Sequence, residues 1–268
     1  MQGTRRTRME WRGGLATPRR NRFFHGKMMD VYHFELETAY GIAMRRLLNR
    51  MVVGTGVVCG LDVVQGDDPC TVIVTSGVAI DGWGREIIVP ADSAPVAIPA
   101  ALIDRVCAEE PEADTSAGPR RRPDHEDDPC VTVTLCYQEC DGDPVAVLAG
   151  DCSTATPCAP GAIREQYSIG FEPGCADPVE VSCRFPDVLR HGEIDYGALA
   201  RWVTRECPDP PRDPCVPLAN LRLRRDDDGC VIQDVDIEIR PVVFGNAVLF
   251  DILTRIVEES RPDNGRRR

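Results

Sequence analysis

A long helix that runs into a glycine-rich turn is the feature that most constrains this chain. Apolar side chains recur at the spacing of one α-helical face, at Tyr40, Met44, Leu47, Leu48 and Met51. Asp30 is a suitable N-cap, because its carboxylate can accept hydrogen bonds from the free N–H groups of the first turn. Gly54 and Gly56 end the helix and act as a hinge. The pattern predicts about 21 helical residues, or roughly 30 Å at 1.5 Å per residue.

Two β-hairpins are predicted directly after this helix. β-branched residues dominate 57–64 and 71–75, and the acidic turn at 66–69 separates them. A second turn at 82–84 joins strands predicted at 78–81 and 85–90. Before the helix, Phe23 and Phe24 precede a turn at Gly26, and we expect the aromatic pair to pack onto the helix.

The second half of the chain predicts an antiparallel β region and further helices. Strands are predicted at 131–137, 144–148, 165–171 and 179–183, with a Cys/Pro/Thr-rich loop at 152–161. Helical patterns occupy 100–110 and 196–207. Strands at 215–224 and 230–239 form a hairpin across the acidic turn at 226–229. Asn246 begins an amphipathic C-terminal helix, with an apolar stripe at Val248, Leu249, Ile252, Leu253, Ile256 and Val257.

These elements predict an α+β fold with a mostly antiparallel β body. Residues 110–129 are rich in proline and charge and have no apolar period, so they are interpreted as a linker or a long loop. The predicted organisation is a basic arm at 1–21, a helix-plus-hairpin domain at 22–109, the linker, a cysteine-rich β domain at 130–242, and a helix with a basic tail at 243–268.

The distribution of charge narrows the choice of partner. Residues 1–29 carry eight basic residues and one acidic residue, whereas the whole chain has a formal charge of −12. An acidic body argues against nucleic acid as the main partner. The basic arm could reach RNA, DNA or an acidic protein surface, and the alternative is a solvated arm with no docking role. No apolar run approaches the ~18 residues that span a bilayer, so we expect no membrane-spanning helix. The N-terminus also lacks the apolar core of a secretory signal, and we expect assembly in the cytoplasm.

The chain is cysteine-rich, with 13 cysteines. Disulfides and reduced, buried thiols both remain open, because the count alone does not fix the redox state. No C-x-x-C pair occurs, which argues against the usual paired zinc site, and no metal or cofactor is predicted.

No catalytic motif is recognisable in the sequence. The glycines at Gly54, Gly56 and Gly60 invite comparison with a phosphate-binding loop. Such a loop needs a strand, then glycines, then a helix whose N-terminus faces the anion. Here the predicted order is helix, glycines, strand, so the glycines are interpreted as structural. No nucleophile elbow accompanies the four histidines, and we expect no enzymatic activity.

The N-terminal stretch resembles a type of protein found in phage tails and contractile injection systems. The resemblance rests on the motifs FFHGK at 23–27, HF at 33–34, RLLNR at 46–50, GVVCGL at 56–61 and GVAIDGWGREI at 77–87. More distantly, the layout is similar to the N-terminal shoulder domain of the type VI secretion baseplate protein TssK and of phage receptor-binding proteins. It continues weakly to about residue 242.

The resemblance implies a structural subunit, namely a baseplate, fibre-connector or cage-like component of a particle that can be released from the cell. It implies assembly with other subunits and a homo-oligomer, with a trimer favoured. The residues that it marks for assembly are Phe23, Phe24, Gly26, Phe34, Asn49, Arg50, Gly54, Gly56, Gly60, Asp81, Gly84, Arg85 and Glu86. The alternative is a free-standing module that binds a carbohydrate or a protein, with or without a metal ion that stabilises it.

Overall fold

The computed structural model describes residues 14–108, 129–147, 158–180, 189–190, 193–226 and 229–259. It has an α+β fold in which helices accompany antiparallel sheets. The long helix α1 spans Val31–Leu48 and continues as a π-helical turn, Asn49–Val53. Asp30 caps α1, since its side chain accepts a hydrogen bond from the His33 N–H. The predicted helix, its cap and its end at Gly54 are therefore confirmed.

Two small antiparallel sheets follow α1. The first sheet has the order β1-β4-β5, and the second has the order β2-β3-β6. Their strands are β1 (Gly56–Gly60), β2 (Val63–Gln65), β3 (Thr71–Val74), β4 (Gly77–Ile80), β5 (Glu86–Val89) and β6 (Val96–Ala97). Helix α2 (Ala100–Ala108) comes next.

A four-stranded antiparallel sheet with the order β12-β11-β7-β8 forms the second half of the fold. It is built from the long strands β7 (Cys130–Ala146), β8 (Cys158–Pro173), β11 (Val216–Asp226) and β12 (Gly229–Asp236). Between β8 and β11 lie the short pair β9 (Leu189–Arg190) and β10 (Glu193–Ile194), then helix α3 (Tyr196–Val203). Helix α4 (Asn246–Glu259) follows β12.

Buried side chains from both halves form one hydrophobic cluster. It includes Leu61 and Ile87 from the first half and Leu135 and Leu218 from the second, none more than 1% exposed. The segment after β12 returns to β1, where Val57 donates to the Pro241 carbonyl oxygen at 2.8 Å and accepts from the Val243 N–H at 2.9 Å. At Gly56, with φ of 131°, a Cβ atom would collide with Pro241. The segment leading to α4 is therefore bound beside the exit of α1.

Strands β7 and β8 are longer than the sequence predicted. The short extended segment predicted at 144–148 is continuous with β7 as far as Ala146, and residues 158–161 belong to β8 and not to a loop. Each strand continues because the other pairs with it, from Thr132 opposite Glu172 to Ala146 opposite Cys158. Proline is tolerated at Pro144 and Pro160 because the distal part of this pair is exposed on both faces.

Three further predictions end differently in the structure. Helix α3 ends at Val203 and not at Cys207. Val179 is not in a strand, and the remainder of the strand predicted at 179–183, apart from Glu180, lies outside the described residues. The aromatic pair does not pack onto α1, because Phe23 and Phe24 are 63% and 64% exposed. Polar contacts hold that segment instead, with the Asn21 N–H donating to the Glu37 carboxylate at 3.1 Å.

Candidate functional site

The turn at residues 81–85 is the point at which α1, the first sheet and the four-stranded sheet meet. We call it the clasp. Asp81 is fully buried and organises it: Oδ1 accepts the backbone N–H groups of Trp83 and Arg85, both at 2.9 Å. Its other oxygen, Oδ2, pairs with Arg85 Nε at 2.5 Å. Aspartate suits this position because a short carboxylate can bond the backbone of its own turn.

Arg85 is held between two aromatic rings. Its guanidinium carbon lies 4.6 Å from the centroid of the Trp83 ring and 4.7 Å from that of Tyr137, which belongs to β7. The Arg85 side chain is 12% exposed, so these cation–π contacts are largely shielded from water. The Asp81–Arg85 pair thus joins the β4–β5 turn to the four-stranded sheet.

The C-terminal end of α1 rests on the same turn. Asn49 Nδ2 donates to the Gly84 carbonyl oxygen at 3.0 Å and to Glu86 Oε1 at 2.8 Å. Glu86 also pairs with Arg45 at 2.9 Å. Gly84 has a φ of 80°, and a Cβ atom there would collide with the Arg46 carbonyl oxygen, so only glycine allows this close approach.

Arg46 carries the contact from α1 to β7. It is the one buried residue of α1, and its guanidinium lies 5.6 Å from the Tyr137 ring and 3.5 Å from Glu139. The Tyr137 hydroxyl donates to Glu139 at 2.9 Å. Burial of the ring, together with the carboxylates of Glu139 and Glu165, raises the pKa of Tyr137 well above its usual range. The two carboxylates thus favour the protonated hydroxyl, which donates to Glu139.

Residues 208–215, which we call the proline segment, close the clasp from the other side. Three of its carbonyl groups accept hydrogen bonds: Pro208 from Arg50 Nη1 at 2.6 Å, Pro211 from Trp83 Nε1 at 2.9 Å, and Pro214 from the Gly82 N–H at 2.9 Å. The segment ends at Cys215, which forms a disulfide with Cys136 of β7. A second disulfide joins Cys130 to Cys175.

A cavity of about 280 Å³ lies beside both disulfides. Thr132, Thr134, Cys175 and Cys215 contribute to its wall, and two acidic side chains, Glu172 and Asp213, stand at it. Burial first, and then the charge of Asp213 and a hydrogen bond with it, raise the pKa of Glu172. Below the cavity, buried Asn220 accepts hydrogen bonds from the Thr132 hydroxyl and the Ala176 N–H, at 2.8 and 2.9 Å.

The two longest helices leave large apolar surfaces uncovered. Arg46 is the only buried residue of α1, although the helix carries few charges before Arg45. Helix α4 has no buried residue. The apolar residues of α4 that are 39–68% exposed are Val248, Leu249, Phe250, Ile252, Leu253, Ile256 and Val257. Around α1, the apolar residues that are 40–87% exposed are Phe23, Phe24, Met28, Val31, Tyr32, Phe34, Leu48, Val52 and Val53.

The structure brings together about half of the residues that the resemblance marked. Those at the clasp are Asn49, Arg50, Asp81, Gly84, Arg85 and Glu86. Gly54, Gly56 and Gly60 lie at the exit of α1 and along β1, in the order helix, glycines, strand. Phe23, Phe24, Gly26 and Phe34 lie away from the clasp on exposed surface. Gly26 forms a turn in which the Lys27 N–H donates to the Phe24 carbonyl oxygen.

Sequence reasoning missed the partners that complete the clasp. Tyr137 is far from Arg85 in sequence and Pro211 is far from Trp83, and only the tertiary fold brings each pair together. The sequence marks Arg46 only as part of the motif RLLNR at 46–50. A signal is present, because Arg46 lies one helical turn after Ile42 and Ala43, on an apolar part of the helix where a buried cation needs a partner.

Within the described residues, no group of three or more His, Cys, Asp or Glu side chains is arranged to hold a metal ion. No helix in that part of the chain is long and apolar enough to cross a membrane. Comparison with known proteins finds no matching family model and no matching curated protein. The fold and the clasp define a cysteine-rich α+β protein in which α1, the first sheet and the four-stranded sheet meet at one turn.

Proposed function

We propose that this chain is a structural subunit that acts through protein–protein assembly, and that its first partner is a second copy of itself. The observation that carries the proposal is the exposed apolar surface of α1 and α4. A helix that is apolar on most sides is normally covered, and a 14-residue helix with no buried side chain is marginally stable alone.

The uncovered area is large enough for a stable contact between copies. A Val, Leu or Ile side chain carries about 60–120 Å² of apolar surface and an aromatic one about 150–250 Å². Weighted by the exposed fractions, α4 leaves about 400 Å² in water, and α1 with the segment before it leaves roughly 800 Å². The sum exceeds the ~800 Å² that each partner buries in a standard interface.

The shape and charge of α4 favour a bundle of copies over a lipid surface. Its apolar stripe is wider than the two-position seam of a two-stranded coiled coil, and such width suits a bundle of three or more helices. Its polar face carries Asp251, Glu258 and Glu259 against Arg255. A helix that lies on anionic lipid has a basic polar face instead. This argument supports the trimer that the resemblance implies.

The particle-level proposal follows from the resemblance of residues 22–90 to phage-tail and contractile-injection proteins. In that setting the chain is a baseplate, fibre-connector or cage-like component, assembled in the cytoplasm. The clasp holds α1 on the body, so that the exposed helix is presented in a fixed position. We expect genes for sheath, tube and spike proteins beside the gene for this chain.

Mass measurement of the purified full chain tests the assembly. We expect an oligomer, with three copies favoured, by light scattering coupled to size exclusion and by native mass spectrometry. Leu253→Glu places a charge in the α4 stripe and should shift the protein towards monomer. Thr254→Glu is the matched control, since it adds the same charge one residue away on the polar face. A wild-type chain that stays monomeric at tens of micromolar would overturn the proposal.

A further inference from the structure

We propose that the Cys136–Cys215 disulfide is a redox latch on the clasp, and that its reduction loosens the grip on the end of α1. The disulfide joins the two walls between which the 81–85 turn is held. One wall is Tyr137, the neighbour of Cys136 on β7. The other is the proline segment, which ends at Cys215. The inference does not depend on the oligomeric state.

The disulfide is the covalent link between the proline segment and β7, and the segment's other described attachments are hydrogen bonds. Prolines occupy 208, 210, 211 and 214, and a proline has no N–H group with which to join a sheet. Its described contacts with the clasp run through carbonyl oxygens, which accept from Arg50, Trp83 and the Gly82 N–H. Regular pairing of β11 with β7 begins only at Val216, opposite Leu135. The disulfide therefore lies where the sheet ends and the proline segment begins.

The bond is reachable by a reductant. Cys136 and Cys215 are both half-buried, and Cys215 lies in the wall of the open cavity beside Thr134 and Pro217. A thiolate that enters the cavity can attack Sγ of Cys215 and release the thiolate of Cys136. The second disulfide is reachable too, because Cys175 is exposed and lines the same cavity, although its partner Cys130 is only 6% exposed.

The reductant is a dithiol of the thioredoxin class or a small-molecule dithiol. Its first sulfur forms a mixed disulfide with Cys215, and its second sulfur then attacks the first, so that Cys215 leaves as a thiolate. The dithiol becomes a disulfide and gives up two electrons and two protons. Cys136 and Cys215 take up both and become thiols, so the exchange balances.

Hydrogen exchange measured by mass spectrometry tests the latch at the groups that it holds. The chain with Cys130→Ser and Cys175→Ser retains the latch, and dithiothreitol is added to it while alkylation reports the freed thiols. We expect exchange in peptides covering 44–53 and 81–86 to become about tenfold faster on reduction, which corresponds to local opening easier by about 1.4 kcal/mol. The Gly82 N–H, bonded to Pro214, should respond most.

The matched control is the chain with Cys136→Ser and Cys215→Ser, which should exchange fast at these peptides with or without dithiothreitol. If it does not fold, reduction of the first variant still decides the question, with far-UV circular dichroism showing that the body stays folded. In a Trp11→Phe, Trp202→Phe background, the emission of Trp83 should shift with reduction. Unchanged exchange and unchanged emission after both thiols are alkylated would refute the latch. So would equally fast exchange at these peptides in the Cys130→Ser, Cys175→Ser chain before dithiothreitol is added.

Discussion

Replacing Arg85 with methionine is expected to remove most of the stabilisation that the clasp provides. Methionine keeps much of the length and apolar volume of the arginine side chain and deletes its charge. The carboxylate of Asp81, which is fully buried, then keeps its two backbone N–H donors and loses its counter-ion.

The expected cost comes from the burial of that carboxylate. Removing one partner of a buried ion pair typically costs about 3–5 kcal/mol, and each shielded cation–π contact adds about 0.5–2 kcal/mol. Because Arg85 makes two such contacts, we expect a loss of about 4–9 kcal/mol. A protein of this kind has a free energy of unfolding of about 5–15 kcal/mol, so Arg85→Met should lower its Tm by on the order of 10 °C.

Urea unfolding followed by circular dichroism, with both disulfides kept oxidised, measures the change. Asp81→Asn combined with Arg85→Met removes both charges and should recover part of the loss, because no uncompensated charge remains. Arg255→Met on α4 is the control, since Arg255 pairs with Glu259 at 2.8 Å in a site where both side chains are more than 60% exposed. It should cost less than about 0.5 kcal/mol. If Arg85→Met cost no more than Arg255→Met, the account of the clasp would be wrong.

Two further changes have expected outcomes of opposite sign. Gly84→Ala should destabilise the chain by more than about 1 kcal/mol in thermal melts, because it combines a positive φ with a collision against the helix end. Gly41→Ala inside α1, where a Cβ atom meets nothing, should stabilise the chain by about 0.5–1 kcal/mol. Equal effects of the two substitutions would contradict the close approach of α1 to Gly84. Glu172→Gln should raise the Tm at pH 7, but it should not raise the Tm at a pH below 4.5, the ordinary pKa of a glutamate side chain. The pKa of Glu172 is raised in the fold, so its contribution to stability is present at low pH and is lost as pH rises through the folded pKa. A Tm gain that is the same at both pH values would exclude this cause.

Local features of the fold were predictable because their causes are local. The N-cap at Asp30, the end of the helix at Gly54 and the hairpin between β11 and β12 each depend on a few adjacent residues. The partners in the clasp depend on strand register, which brings Tyr137 to Arg85 across more than 50 residues. The disulfides depend on the same register, and 13 cysteines allow far too many pairings to choose among from sequence.

The surface of α1 shows a different limit. An apolar helical face predicts that other residues bury it. The pattern does not show whether those residues belong to the same chain or to a second one. Here Tyr40, Met44 and Leu47 are only half-buried, and Leu48 is 59% exposed. Phe23 and Phe24 were expected to supply the cover, and they are themselves exposed.

Three residues near the end of α1 determine how the chain would carry a mechanical load. Arg46 reaches Glu139, Asn49 reaches Gly84, and Arg50 reaches Pro208. A glycine-rich exit would bend freely if nothing braced it, but these contacts divide any pull on α1 among three separate parts of the body. The helix is thus attached to the body at three points. Tension applied to α1 reaches β7, the β4–β5 turn and the proline segment together.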